Sequence, residues 1–373
     1  MPPKSEIAVI GNPWMASVMG YALLTAGHRP SLYFLDEASP HPAPQELPIH
    51  VGNGEVFENA RLTFGKEIAE ALWEISSQNY KKSKAWFARL GVSFTEGRTL
   101  WFASGEKQKV LIEATARHNP VASLLKGPEW LRQGTRKFDS VSSEAGLRFH
   151  TQHLSQALHN KFVEQELVVK SIDKFLGVEK LPSLDYRFSW EVHGQKLSAT
   201  AAVVILLSDR IPVSLFPSLA GKWIPVTLSS FTFKNKTHKE FIQSFFNGGA
   251  DFAFRGNGGM RLGSFRNLFE DKAVGIHHET DEATLKGVTD FFAGLDWIAS
   301  DSSPQHHLSA ESISCDGLPL VGPLSDLPGV HLLGGFQGRT QNFLFEVSEL
   351  LARAIVKGEN TDRLNLFSLK RFA

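Results

Sequence analysis

Cysteine is nearly absent from this chain: Cys315 is the only one in 373 residues. Intramolecular disulfides are thereby excluded, and a cysteine-based zinc site with them. The solitary Cys315, next to Asp316-Gly317, reads as a small buried filler. Long apolar runs are missing too; none reaches the 18 or so residues that a membrane-crossing helix needs. The opening Met-Pro-Pro-Lys-Ser-Glu leads straight into a strand pattern without the apolar segment of a secretory signal, so a reducing cytoplasm is the expected location. Excess charge is absent as well, because 39 basic and 39 acidic residues cancel. That balance gives no electrostatic case for nucleic acid or an anionic membrane. The local run Lys81-Lys82-Ser83-Lys84 reads as a solvated helix face. Internal repeats and low-complexity tracts do not occur.

What remains is a globular composition, 42% apolar and 21% charged, on a chain longer than one typical domain. The stretch Ile7 to Asp36 reads as strand, tight turn, helix, strand. Ile7, Val9 and Ile10 end at Gly11; small and apolar residues fill Met15 to Leu24; Gly27 stops the helix; Leu32 to Leu35 follows. This is the opening βαβ of a nucleotide-binding unit, in which a helix N-terminus offers N–H groups to a pyrophosphate. Its turn, however, is Gly11-Asn12-Pro13-Trp14-Met15-Ala16, not G-x-G-x-x-G.

Further along, residues 37–54 carry four prolines and read as loop. Leu62, Ile68, Leu72, Ile75, Trp86 and Leu90 mark a helix or helix pair over 61–90, stopped by Gly91. Val92–Phe94 and Thr99–Ala103 read as a strand pair around Glu96-Gly97-Arg98. Helices are expected at 105–118, 127–133, 153–158 and 283–295. Glu166–Val169 reads as a buried strand, and Tyr186–Val192 with Lys196–Thr200 as a hairpin. The hairpin feeds Ala201–Leu207, apolar throughout like a strand covered on both faces. Short β segments at Val226–Phe233, Asp251–Phe254, Gly259–Phe265 and Val274–His278 predict an antiparallel sheet. Leu308–Ser314, the strand Val330–Leu333 and a helix over Glu346–Lys357 close the chain. The adjacent pairs His277-His278 and His306-His307 point to opposite strand faces, so neither makes a metal site alone.

The last third carries the most specific pattern. Asp316-Gly317-Leu318-Pro319-Leu320-Val321-Gly322-Pro323, then Leu333-Gly334-Gly335-Phe336-Gln337-Gly338, resembles the closing signature of the D-amino-acid oxidase/glycine oxidase family of FAD-dependent enzymes. The resemblance extends to Gly11 and Gly27, the helix 61–90 and Ala201–Leu207. It implies an α/β fold: a Rossmann-type FAD-binding domain interleaved with an antiparallel-sheet substrate domain. The expected division is 1–90, 148–215 and 312–373 for the former, and 91–147 and 216–311 for the latter. It also implies FAD as cofactor and a small-molecule amine or amino acid as substrate. By position, Gly11, Pro13, Trp14, Ala16, Asp36, Ser208, Gly335, Gln337 and Gly338 would lie against the cofactor. Arg255, Arg261 and Arg266 are candidates for the substrate side, with a solvent-facing role as the alternative. The resemblance assigns no catalytic residue and no metal.

The functional positions depart from the family pattern. Pro13 stands where a second glycine lets backbone approach the pyrophosphate, although proline suits a first helical turn. Phe34 replaces the ribose-binding carboxylate, with Asp36 as a nearby substitute. Ser208 and Thr340 replace glycines, and Glu311 falls near the place of the arginine that grips a substrate carboxylate. Two readings stay open: a diverged flavoenzyme oxidising a C–N bond, or a pseudoenzyme that has lost FAD and serves as a binding or assembly partner. In the second, Trp14, Phe34 and Phe336 would fill the vacated cleft. A different ligand in the same cleft, such as another nucleotide or a peptide, is a third.

Overall fold

The chain begins with β1 (Ile7–Gly11), every residue of which is buried. The computed structural model describes residues 6–35, 46–50, 57–102, 106–118, 123–125, 141–207, 213–234, 244–246, 250–254, 259–268, 305–336 and 338–372. After β1 come α1 (Pro13–Thr25), β2 (Ser31–Leu35), β3 (Glu46–His50), α2 (Phe57–Phe64) and α3 (Lys66–Leu90). The next stretch holds β4 (Phe94–Phe102), α4 (Glu106–His118), β5 (Ser123–Leu125), β6 (Val141–His150) and α5 (Thr151–Glu164). Then follow β7 (Val169–Ile172), β8 (Lys174–Lys180), β9 (Tyr186–Val192), β10 (Gln195–Ala201) and β11 (Val203–Leu207). Next are β12 (Trp223–Lys234), β13 (Ser244–Phe246), β14 (Ala250–Phe254), β15 (Gly259–Leu268) and β16 (Gln305–Ser314). β17 (Leu320–Pro323), β18 (Val330–Gly334), α6 (Thr340–Lys357) and α7 (Asp362–Asn365) complete the order.

Six strands form the central sheet in the order β17-β18-β11-β1-β2-β7, parallel except for β17. Successive side chains of a strand point to opposite faces, and both faces of this sheet are apolar. Ile7, Val9, Leu32 and Ile205 meet the helices; Ala8, Ile10, Tyr33 and Leu206 meet Phe188 and Trp190 of the three-stranded β10-β9-β8 sheet. The layers are therefore helices, parallel sheet, antiparallel sheet. Being enclosed, α1 is buried from Met15 through Leu23 and shows no polar stripe. At Gly20 an added Cβ would lie 2.8 Å from Leu32, which is how closely α1 sits on the sheet. Two further antiparallel sheets have the orders β13-β14-β15-β12-β16 and β3-β6-β4, the latter with β5 also on β6.

Several expectations need correction. The predicted hairpin around Glu96-Gly97-Arg98 is one continuous strand, because β6 supplies the partner and Gly97 pairs with Gly146 inside the ladder. Part of the expected loop 37–54 is β3, an edge strand, where Pro48 is tolerated. Glu166 turns the chain with φ 53, and β7 starts only at Val169, with two of its four residues exposed. The helix pair breaks at Gly65, so Leu62 falls on α2 and is 64% exposed, away from the face of α3 that buries Leu72, Ile75 and Trp86. Helix α6 begins at Thr340, six residues before the expected Glu346. Cys315 is exposed at the tip of a turn, not a buried filler. Lys82 is no solvated charge: it reaches Glu346 at 2.6 Å and Glu349 at 2.8 Å on α6. The expected helices 127–133 and 283–295 and strand 274–278 lie outside the described residues.

Candidate functional site

The carboxyl ends of the parallel strands converge where β1 has β2 on one side and β11 on the other, the position at which open α/β sheets form a crevice. Gly11 ends β1 there, and a Cβ on it would fall 2.1 Å from the Leu207 carbonyl oxygen. The Asn12 N–H continues the pairing by donating to that carbonyl at 3.0 Å. Asn12 then caps α1: its Oδ1 accepts the Trp14 N–H at 3.2 Å, and its carbonyl accepts the Ala16 N–H at 2.8 Å. Pro13, first in the helix, has no N–H. The cap that stabilises the helix thus occupies a donor that an anion would otherwise use. Trp14 turns its ring edge toward Phe149 of β6, with centroids 6.4 Å apart. Phe34 on β2 pairs with Gly11 and packs, partly buried, on the helical face of the core.

Across the crevice, β18 ends at Gly334, where an added Cβ would lie 2.6 Å from the Trp223 indole. Gly335 and Gly338 follow with φ of +67° and +77°, left-handed conformations that favour glycine. Between them Phe336 is 1% exposed, bridges Ile313 and stacks on Phe343 with planes 15° apart. Arg339 is also buried; its Nη2 donates to the Gly317 carbonyl at 3.0 Å and its Nε to the Phe336 carbonyl at 3.3 Å. The first turn of α6 is covered as well, Thr340, Gln341 and Asn342 all being buried.

Beneath this turn, Asn79 of α3 enters the backbone ladder of α6. Its Nδ2 donates to the Gln341 carbonyl at 2.9 Å, and its Oδ1 accepts the Phe345 N–H at 2.9 Å and the Glu346 N–H at 3.2 Å. Gln341 carbonyl and Phe345 N–H are the pair that a regular helix joins directly, and the Asn79 side-chain amide bonds to both. The turn Cys315–Leu318 closes the crevice end of β17. Asp316 accepts the Leu318 N–H at 3.1 Å and holds Arg371 through two bonds, 2.6 and 3.0 Å. Burial pushes the Asp316 carboxyl up, but Arg371 and the Leu318 N–H outweigh it and leave the group below the ordinary carboxylate range.

Of the residues proposed from sequence, Gly11 ends β1 and Pro13, Trp14 and Ala16 lie in the first turn of α1, while Gly335 and Gly338 lie between β18 and α6. Asp36, Ser208, Gln337 and Arg255 lie outside the described residues. Arg261 lies on β15 opposite Thr232, in the five-stranded sheet, as Glu311 lies on β16 opposite Val226. Asn12, Asn79, Arg339 and Arg371 were not singled out. Asn12 had a legible signal, an Asx residue directly before a proline and a helical pattern. The other three act at a distance along the chain: Asn79 across 262 to 267 positions, Arg371 across 55 to Asp316 and Arg339 across 22 to Gly317. Among the described residues no group of three His, Cys, Asp or Glu stands ready to hold a metal. No helix among them is long and apolar enough to cross a membrane.

No protein-family model matches the sequence. No curated protein sequence matches it either. Solved structures do. L-proline dehydrogenase from P. horikoshii is similar at 15% identity and TM-score 0.69, covering 100% of this chain and 98% of its own. Glycine oxidase from Geobacillus kaustophilus is similar at 14% identity and TM-score 0.71, over 99% of both chains. A point mutant of NikD, an unusual amino acid oxidase essential for nikkomycin biosynthesis, in its open form reaches TM-score 0.73 at 12% identity, over 98% of this chain and 96% of its own. FAD, implied by the resemblance in sequence, fits this crevice poorly: Pro13 and the Asn12 cap withdraw donors where its pyrophosphate would bind, and Phe34 offers no acceptor to a ribose. The chain thus has the glycine-oxidase-like fold of the D-amino-acid oxidase type, on a sequence only 12 to 15% identical to these structures.

Proposed function

We propose that this chain is a flavin-free form of the amino-acid-oxidase fold, retained as a binding or assembly partner rather than a redox catalyst. One observation carries the reading: the anion-binding end of α1 is satisfied from within, by the Asn12 side chain on the Trp14 N–H and a proline beside it. A dinucleotide phosphate placed there meets fewer donors and has to displace a side-chain oxygen already bonded. The burial of Phe336, Thr340 and Gln341 supports the same reading, since walls that await a ligand are normally open to solvent.

A second reading has one observation in its favour. Gly335 and Gly338 keep the left-handed conformations of a loop built to approach a ligand closely. On that reading FAD supplies the redox chemistry, the protein positions a C–N bond against it, and an amine or amino acid is oxidised.

A visible spectrum of the purified protein, with a melting curve in excess FAD, separates them. Colourless protein whose Tm is unmoved by FAD is expected. Stoichiometric yellow flavin, or a rise in Tm with FAD concentration, overturns the proposal, because a ligand bound only to the folded state must stabilise it. The double substitution Pro13→Gly, Phe34→Glu is expected to gain FAD affinity if the rest of the crevice is still receptive.

A further inference from the structure

The segment after α6 makes contacts out of proportion to its length. Helix α6 stops at Gly358, whose φ of 69° turns the chain back, and Thr361 caps α7. Arg363 then pairs with Glu74 on α3 and lies 3.7 Å from the buried Glu346 on α6. Phe367, fully buried, sets its ring against Phe343 at 6.1 Å, and its carbonyl accepts the Val321 N–H at 2.9 Å from the outer edge of β17. Arg371 grips both Asp316 oxygens and donates to the carbonyls of Leu318 at 2.9 Å and Phe367 at 2.7 Å. Phe372 lies under the Arg371 guanidinium at 4.4 Å.

These contacts join into a closed circuit. Arg371 fixes the Asp316 turn; the Gly317 carbonyl of that turn holds Arg339; Arg339 holds the Phe336 carbonyl through both its backbone N–H and its Nε. Phe336 stacks on Phe343, and Phe343 meets Phe367 of the same segment. Every member except the segment itself belongs to the rim of the crevice or to the first turns of α6. Apolar contacts hold one half of the ring and one bidentate ion pair holds the other. The ion pair is the half that can be released without unfolding the core, since Arg371 and Asp316 are only 17% and 32% exposed at the side chain yet reach solvent at the protein edge.

We propose that residues 359–372 form a strap that keeps the crevice rim closed, with Arg371–Asp316 as its latch. Opening the latch frees the Asp316 turn, and through the Gly317–Arg339 contact it frees Phe336 and the two left-handed glycines. The inference does not depend on whether the crevice takes flavin. A phosphate-free partner and a cofactor would both need the rim to move.

Hydrogen exchange on the full chain, wild type against Arg371→Gln and Asp316→Asn, tests the strap. Amides of Phe336, Gly338 and Arg339 should exchange at least ~10-fold faster in each variant, while those of Val9, Ile10, Ile205 and Leu206 keep their wild-type rates. Rim amides that stay as protected as in wild type would show that the latch holds nothing. Equal acceleration of rim and sheet would also overturn the proposal, reducing the ion pair to a contributor to global stability. Should either variant fail to fold, raised salt on the wild-type protein weakens this partly exposed pair and must loosen the rim selectively.

Discussion

The central sheet and its crevice rim are built from the same stretches of chain but obey different rules. In the sheet, Val9, Ile10, Ile205 and Leu206 are unexposed, glycines occur where backbones touch, and both faces are filled. At the rim, polar groups do the bonding: the buried Arg339 and the less enclosed Asn12, Asp316 and Arg371 each satisfy backbone or carboxylate partners across a turn. Packing tolerates substitution as long as volume and pattern persist, so a fold survives drift in sequence. A phosphate site depends on particular N–H groups at particular places, and a proline or a side-chain cap there leaves fewer of them free. The contrast teaches that the architecture and the chemistry of a crevice answer to different physical demands.

Breaking the sheet should have the largest effect. Gly11→Val would drive a side chain into the Leu207 carbonyl and is expected to cost more than ~3 kcal/mol, seen as insoluble protein or a collapsed denaturation midpoint. Next is His331 on β18, whose Nδ1 is fully buried without a hydrogen-bond partner and whose pKa burial pushes down to about 4. In the unfolded chain it titrates near 6.5, so between those values the unfolded state binds a proton that the folded state refuses. Its contribution is whole above that range and is lost as pH falls toward 4, about 3 kcal/mol in all. Urea unfolding at a series of pH values should show this slope, and His331→Leu should flatten it.

Asn79→Ala tests the seam between sheet-side helices and rim. It leaves the Gln341 carbonyl and Phe345 N–H to find each other again, and a loss of about 2 kcal/mol is expected by chemical denaturation. Smallest is Asn12→Ala at the rim itself, expected to lower stability by about 1 kcal/mol through loss of the cap. A rim variant that cost as much as Gly11→Val would erase the distinction between the two regions.

Much of the sheet was legible because its signal is local. Ile7–Gly11, Val203–Leu207 and Val330–Gly334 announce themselves by apolar runs, and Gly91 by the left-handed stop it provides. Other features were misread where a partner distant in sequence decided the outcome. Gly97 looked like a turn until β6 paired with it, and Cys315 looked buried although the turn beside Asp316 presents it outward.

By itself the sequence determined the βαβ opening, the apolar runs of β1, β11 and β18, and the presence of Pro13 and Phe34 within that opening. Those are properties of neighbours along the chain: periodicity, a proline's missing N–H, a phenylalanine's missing acceptor. Only the tertiary structure decided that Asn79 enters the ladder of α6, that Lys82 finds two carboxylates, and that Arg371 closes a ring through Asp316, Arg339 and Phe336. Arg339 reaches Gly317 across 22 positions, Arg371 reaches Asp316 across 55 and Asn79 reaches Glu346 across 267, and no local pattern encodes them. They form because a buried polar group must find a partner wherever the fold brings one within reach.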